Sequence, residues 1–285
     1  MTPRRIVSLV ALAYLLSLLA VSLVADWFSK HSTAAAAVLQ RELGQASGWD
    51  LCSWWMLATR NVLAVSATAT LIGALLGAAI GGLAIYGGHG PAGALSRLAG
   101  FTGAFPGLLL VGLFRLGDPS HGVLALLCAL SLLRTLEVAQ LVRGEVLGAL
   151  LGDFVEASRA LGASRRWQLR LHVLPRLTRP FLANLLRGAS SLIGLEAALS
   201  FVGLGLPAGV PSWGGGLAAV ARSGSSLPLL MAALSIGLTS GALYGLGMSL
   251  RPALPGARNR TPGQEGEPAA RGAWRSPEAE LKEKA

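Results

Sequence analysis

The chain has 285 residues, 53% of them hydrophobic and only 13% charged, and a mean hydropathy of +0.58. That composition excludes an ordinary water-soluble enzyme and places the chain among polytopic membrane proteins. The net charge of +10 does not require nucleic acid, because basic residues gather on one side of a membrane protein and can meet anionic lipid there. A bilayer core demands about 20 apolar residues per helix, and windows of that kind are predicted at 6–25, 62–86, 98–116, 122–142, 182–206 and 227–250.

The first window follows the basic start Arg4-Arg5 and ends in small residues up to Ala25. It reads as an uncleaved helix because it exceeds the roughly 7–15 residues of a signal-peptide core; a cleaved leader is the alternative. Residues 26–60 are expected to form an external connection closed by Trp49, Trp54 and Trp55, with the tryptophans anchoring the next helix at the headgroups. The second window carries Gly73, Gly77 and Gly81 on one face, and the sixth carries Gly237, Gly241 and Gly245 in the same arrangement. Small residues at that period let helices approach closely in lipid, so both stripes are expected to be buried against neighbours. The third window contains Phe105, Pro106 and Gly107, which predicts a kink or a local unwinding. In the fourth, Arg134 and Glu137 are three apart and can pair on one helix face, easing the cost of either charge in a membrane.

Between the fourth and fifth windows lies an Arg-rich polar segment. Phe154, Ala157, Ser158 and Leu161 recur at helical spacing, with Glu156 and Arg159 beside them. Gly162 suits the left-handed residue that ends such a helix, and Ser164 can cap the next, which is expected to run into Pro175. The result is a helix, a sharp turn and a second helix: a rigid knob outside the membrane. The fifth window is predicted to begin after Pro180 and holds Glu196. An acidic residue inside a span is costly and faces protein or water, so Glu196 is either a functional group or a hydrogen-bonding post within the bundle. After Arg251, five prolines and mixed charge predict a disordered tail. The domain division read from these features is 1–60 for the first helix and external segment, 61–250 for the transmembrane core and 251–285 for the tail.

Orientation follows from the basic residues. Seven Arg lie between 143 and 179 and seven Lys or Arg after 250, which predicts both termini and the knob on the cytoplasmic side. Cys52 and Cys128 fall in different compartments and are not expected to pair. No Cys/His grouping has metal-ligand spacing, and no Gly-x-x-x-x-Gly-Lys-Ser/Thr loop occurs to cradle nucleotide phosphates. A transporter built on this chain therefore draws its energy from another protein.

Glu156, Ala157 and Ser158, then Gly162, then Leu174 and Pro175 resemble, without a gap, the cytoplasmic signature loop of ABC importer permeases, the inner membrane components of binding-protein-dependent transport systems. The stretch Glu196 to Gly205, with Pro211, Ser212, Trp213 and Gly214, resembles the dipeptide, oligopeptide and nickel branch of that family, specifically its second (C-type) permease. Gly44, Gly48, Asp50, Ser53 and Arg60 agree more loosely, and Ala46, Trp49 and Trp54 depart from the branch, which leaves open the polar contacts made there in relatives. The resemblance implies an all-α fold of six transmembrane helices with a cytoplasmic coupling helix, the type I importer permease fold, in a bacterial inner membrane. It implies no catalysis by this chain and no cofactor on it, with ATP and Mg held by one or two partner ATPase subunits. It also implies a second permease, most simply as a heterodimer, and an extracytoplasmic solute-binding protein. Glu156, Ala157, Ser158, Arg159, Gly162, Leu174 and Pro175 would then couple to the ATPase, and Phe105, Pro106, Glu196 and Ser200 would belong to the translocation path. Peptides, a nickel chelate or another small solute all remain open as cargo. Two other classes fit less well. An ion-driven carrier would need ionisable or unwound sites in two related halves, for which Glu196 and Pro106 are thin support. An intramembrane Ser/His protease lacks a histidine placed centrally in a span.

Overall fold

The computed structural model describes residues 3–31, 48–86, 122–150, 162–207, 209–223 and 226–250, with isolated positions between 90 and 113 and Val155 and Ser158. The described residues fold into helices and turns without a strand: α1 (Pro3–His31), α2 (Gly48–Tyr86), α3 (Gly122–Leu150), α4 (Arg165–Gln168), a π-helical turn (Leu169–Val173), α5 (Leu174–Val202), α6 (Trp213–Ser223) and α7 (Ser226–Ser249). Five of these are long and apolar enough to cross a membrane: α1, α2, α3, α5 and α7. Helices are the natural solution for such segments, since every backbone N–H and C=O is then satisfied without water. The predicted third window lies largely outside the described residues, and Phe105 and Pro106 with it. Its Val111 is described, and it packs with Val65, Leu126, Leu130 and Leu199 in the bundle core.

The closest pairing is α2 against α3, and the glycine stripe explains it. A Cβ on Gly77 would stand 2.6 Å from the Thr135 carbonyl oxygen, and one on Gly81 would stand 2.5 Å from that of Ala139. Only glycine lets the two backbones come this near. The matching stripe on α7 behaves differently: a Cβ added at Gly237, Gly241 or Gly245 would meet no heavy atom within 4 Å. The expectation that both stripes are buried holds for α2 alone. In α7 the packing glycine is Gly247, set against the Arg187 stem and the Ala183 carbonyl.

Two further boundaries differ from the hydropathy reading. Helix α2 starts at Gly48, well ahead of its apolar window, so Trp54 and Trp55 are helical residues. Trp54 is fully buried with Ala58, Val62, Ile193 and Trp213, and Trp55 Nε1 donates to Ser235 Oγ at 2.7 Å. These rings are core posts at the end of the bundle, a use that hydropathy cannot separate from headgroup anchoring. Helix α5 begins at Leu174 and carries Pro180 inside it, whereas the sequence places its start beyond that proline. Tertiary packing of Val173, Leu177 and Phe181 on Val142 and Val146 holds the turn that proline would otherwise loosen.

Candidate functional site

Of the coupling residues, Glu156, Ala157 and Arg159 lie outside the described residues; Ser158, Gly162, Leu174 and Pro175 are described. Ser158 is buried, and its hydroxyl donates to the Val155 carbonyl at 3.0 Å. Gly162 has φ 83°, and the Ala163 N–H reaches back to the Ser158 carbonyl at 3.1 Å. A left-handed glycine with that bond five residues back is the Schellman end of a helix, as the sequence predicts. The Ser164 hydroxyl then accepts from the Trp167 N–H at 3.4 Å, and its carbonyl accepts from the Gln168 N–H at 3.1 Å, so it caps α4.

The second arm of the knob departs from the prediction. It does not stop at Pro175. From Arg165 the chain is helical without a break to Val202, and the cost of the proline is met by the π turn. Pro175 offers no N–H to the carbonyl one turn before it, and its ring crowds that carbonyl; the turn widens so that the Leu174 N–H bonds to the Leu169 carbonyl, five residues back. Widened turns of this kind are common at functional sites. Gln168, which sequence reasoning missed, is almost wholly buried and donates its side-chain amide to the Ala163 carbonyl at 3.3 Å. It pins the sharp turn to the helix that follows. Trp167, Leu171 and Leu174 stand exposed about one turn apart along this arm. Their apolar character in a polar loop was the available signal.

At the other end of α5 the structure brings Glu196 and Ser200 together. Glu196 is fully buried, and its Oε1 accepts from the Ser200 hydroxyl at 2.6 Å. Ser200 Oγ also accepts from the Leu206 N–H at 3.2 Å, just past the left-handed Gly203 that ends the helix. Nearby, Ser212 Oγ accepts from the Gly215 N–H at 3.0 Å and caps α6, while Asn61 holds the Pro211 carbonyl at 2.9 Å. Gly214 abuts the backbone of Ala197, and Gly216 abuts the Trp54 ring. The carboxylate thus organises a tight corner inside the chain. In mid-bundle Arg134 pairs with Glu137, as their spacing predicts, and also donates to Asn184 Oδ1 of α5 at 2.7 Å. Cys52 and Cys128 are free thiols.

A bundle of membrane-length helices, one of them continuous with the helical arm that starts at Arg165, defines a polytopic membrane protein. Residues 73–247 match the model of the family described as the binding-protein-dependent transport system inner membrane component, and the chain belongs to that family. It is 25% identical over 216 residues to the oligopeptide transport system permease protein OppC of Bacillus subtilis, covering 73% of this chain and 70% of that protein. It is 29% identical over 261 residues to the dipeptide transport system permease protein DppC of the same organism, covering 87% and 81%. A third similarity, 29% over 209 residues, is to the glutathione transport system permease protein GsiD of Pectobacterium atrosepticum, covering 73% of this chain and 69% of that protein. The fold is accordingly the all-helical permease fold of a multi-pass inner membrane protein.

Proposed function

We propose that this chain is one of two permease subunits of an ATP-driven importer for peptides or a related small solute such as a nickel chelate. ATP and Mg bind to separate ATPase subunits, and an extracytoplasmic binding protein delivers the solute to the path between the paired permeases. Both termini and the knob face the cytoplasm. The 149–175 knob seats on an ATPase subunit through Glu156, Ala157, Ser158, Arg159 and Gly162, with Leu174 and Pro175 where the arm enters the membrane. Phe105, Pro106, Glu196 and Ser200 belong to the walls of the path, Glu196 and Ser200 acting from within the wall as a brace.

The observation that carries this reading is the unbroken helix from Arg165 to Val202. Closure of the ATPase subunits displaces the knob, and a continuous helix passes that displacement to the far end of the span as a choice between inward- and outward-open arrangements. The names of the peptide and glutathione permeases support the cargo class. The test is site-directed crosslinking in vesicles holding the assembled transporter, with Cys52 and Cys128 replaced by serine. Ala157→Cys or Arg159→Cys is expected to form a crosslink whose peptides identify an ATP-hydrolysing subunit, with a yield that changes on adding ATP. Failure to capture such a subunit from either position overturns the coupling role.

A further inference from the structure

A cavity of about 340 Å³ lies between α3, α5 and α7, walled by Arg134, Glu137, Asn184, Arg187, Ser191 and Tyr244. Its size falls within the range of small-molecule sites, about 300–1,000 Å³. It sits within the membrane-spanning part of the bundle: Arg187 is about 20 Å along α5 from Leu174, at 1.5 Å per residue. Beside it, Ser190 Oγ donates to the Ser240 carbonyl at 2.9 Å and ties α5 to α7.

The charges in this cavity do not cancel. Arg134 is almost wholly buried and committed to Glu137 and to Asn184, whose carbonyl it also reaches at 3.2 Å. The Arg187 stem packs on Gly247, and among the described residues its guanidinium has no hydrogen bond or ion pair. Two cations and one carboxylate line the same cavity. An uncompensated cation at this depth is costly unless an anion or water reaches it. The cavity is also open. The Glu137 side chain is 57% exposed on the surface of this chain, and Tyr244 is 52% exposed. Charged and polar groups at this depth do not face hydrocarbon, so this face looks onto water or protein.

We infer that the cavity is an anion subsite on the wall of the solute path, where Arg187, backed by Arg134, takes a carboxylate of the passing solute. Glu137 holds Arg134 in place and limits the excess charge to one. That single excess charge suits a carboxylate; a dianionic phosphate would leave the site negative in a low dielectric. The inference rests on the import reading above, so the experiment separates the two. In vesicles holding the full transporter, with both native cysteines replaced by serine, Ser191→Cys is treated with an anionic and a cationic methanethiosulfonate reagent of similar size. After normalisation to a free thiol, the anionic reagent is expected to react about tenfold faster, as a nearby fixed positive charge in a confined site dictates. Arg187→Gln is expected to remove that preference and Arg187→Lys to keep it. Equal rates for the two reagents, or an introduced thiol that neither reaches, overturn the subsite.

In the second arm, uptake of trialanine is compared with that of trialanine amide. Arg187→Gln is expected to raise the KM for the free acid about tenfold, the usual weight of a charge-assisted hydrogen bond. It is expected not to raise the KM for the amide, which has no carboxylate for Arg187 to take. Acid and amide falling together mark a structural role and overturn the assignment, as does an unchanged acid. A parental transporter that carries neither peptide removes the proposed cargo, while the labelling arm still decides whether the cavity is an anion site.

Discussion

Replacement of Gly162 separates backbone geometry from packing, because the position offers room but not conformational freedom. Its φ is 83°, and a Cβ there would meet no heavy atom within 4 Å. A substitution therefore costs only the energy of holding a side-chain-bearing residue in the left-handed region, about 1–2 kcal/mol for alanine. Asparagine visits that region more readily and should cost less; valine, branched at Cβ, should cost more. A penalty of about 1–2 kcal/mol lowers the ratio of the correct turn to its alternatives by roughly 5- to 30-fold. The assay is ATP-dependent uptake in vesicles, normalised to the permease present in the membrane. The expected order is Gly, Asn, Ala, Val, with insertion constant throughout, since the turn lies outside the spans. Parental uptake by Gly162→Val, or an asparagine variant worse than alanine, would refute the reasoning.

Other contacts give sharper stability contrasts. Gly77→Val puts a side chain 2.6 Å from the Thr135 carbonyl and 2.7 Å from Val138 Cβ; it should cost about 1–3 kcal/mol as overpacking and lower the unfolding temperature in detergent. Gly241→Val, with open space around it, should leave that temperature nearly unchanged, and equal losses would show that the α2–α3 contact is not the cause. Ser200→Ala removes the hydroxyl that donates to Glu196 and accepts from the Leu206 N–H, at a cost of about 1–3 kcal/mol, measurable as lower thermal stability of the purified complex; no change would show that this corner is not braced by the hydroxyl.

What was legible in the sequence is what local chemistry decides. Gly162 and Ser164 could be read as a helix end and a cap because a left-handed residue and a short oxygen-bearing side chain have few other uses side by side. Arg134 and Glu137 could be paired because helical spacing fixes which side chains meet on one helix. The glycine stripes illustrate the limit. Period four says that a helix can be approached closely, not that a neighbour arrives, and of two identical stripes only that of α2 meets α3. Trp54 shows the same gap, since a ring suited to the headgroups is equally suited to a core, and Gly216 on α6 decides the matter from far along the chain. The polar cavity was half visible: Arg134 and Glu137 advertised themselves, but Arg187 gained its meaning only when α5 and α7 carried it beside them. Pro180 misled because proline is an unfavourable local signal that packing of Leu177 and Phe181 overrides.

The π turn at Leu169–Val173 is the one irregularity on the rod from Arg165 to Val202, and its position has a mechanical consequence. Each residue of an α-helix advances the phase by about 100°, so the extra residue in the turn sets which face of the knob Trp167 and Leu171 present relative to the span. Pro175→Ala restores an N–H at 175 and relieves the crowding that favours the wide turn, so an α-helical register becomes accessible and the knob rotates by about that angle. The folded bundle should be as stable as before or more so, because an unfavourable proline has gone, while ATP-dependent uptake should fall. Pro180→Ala removes a proline from the same helix, beyond the π turn, and is expected to leave uptake unchanged. Crosslinking yield from Ser164→Cys to an ATPase subunit reports the rotation directly, and it should drop in the first variant and not in the second. Equal uptake and equal yield in both would show that the wide turn does not set the register of the knob.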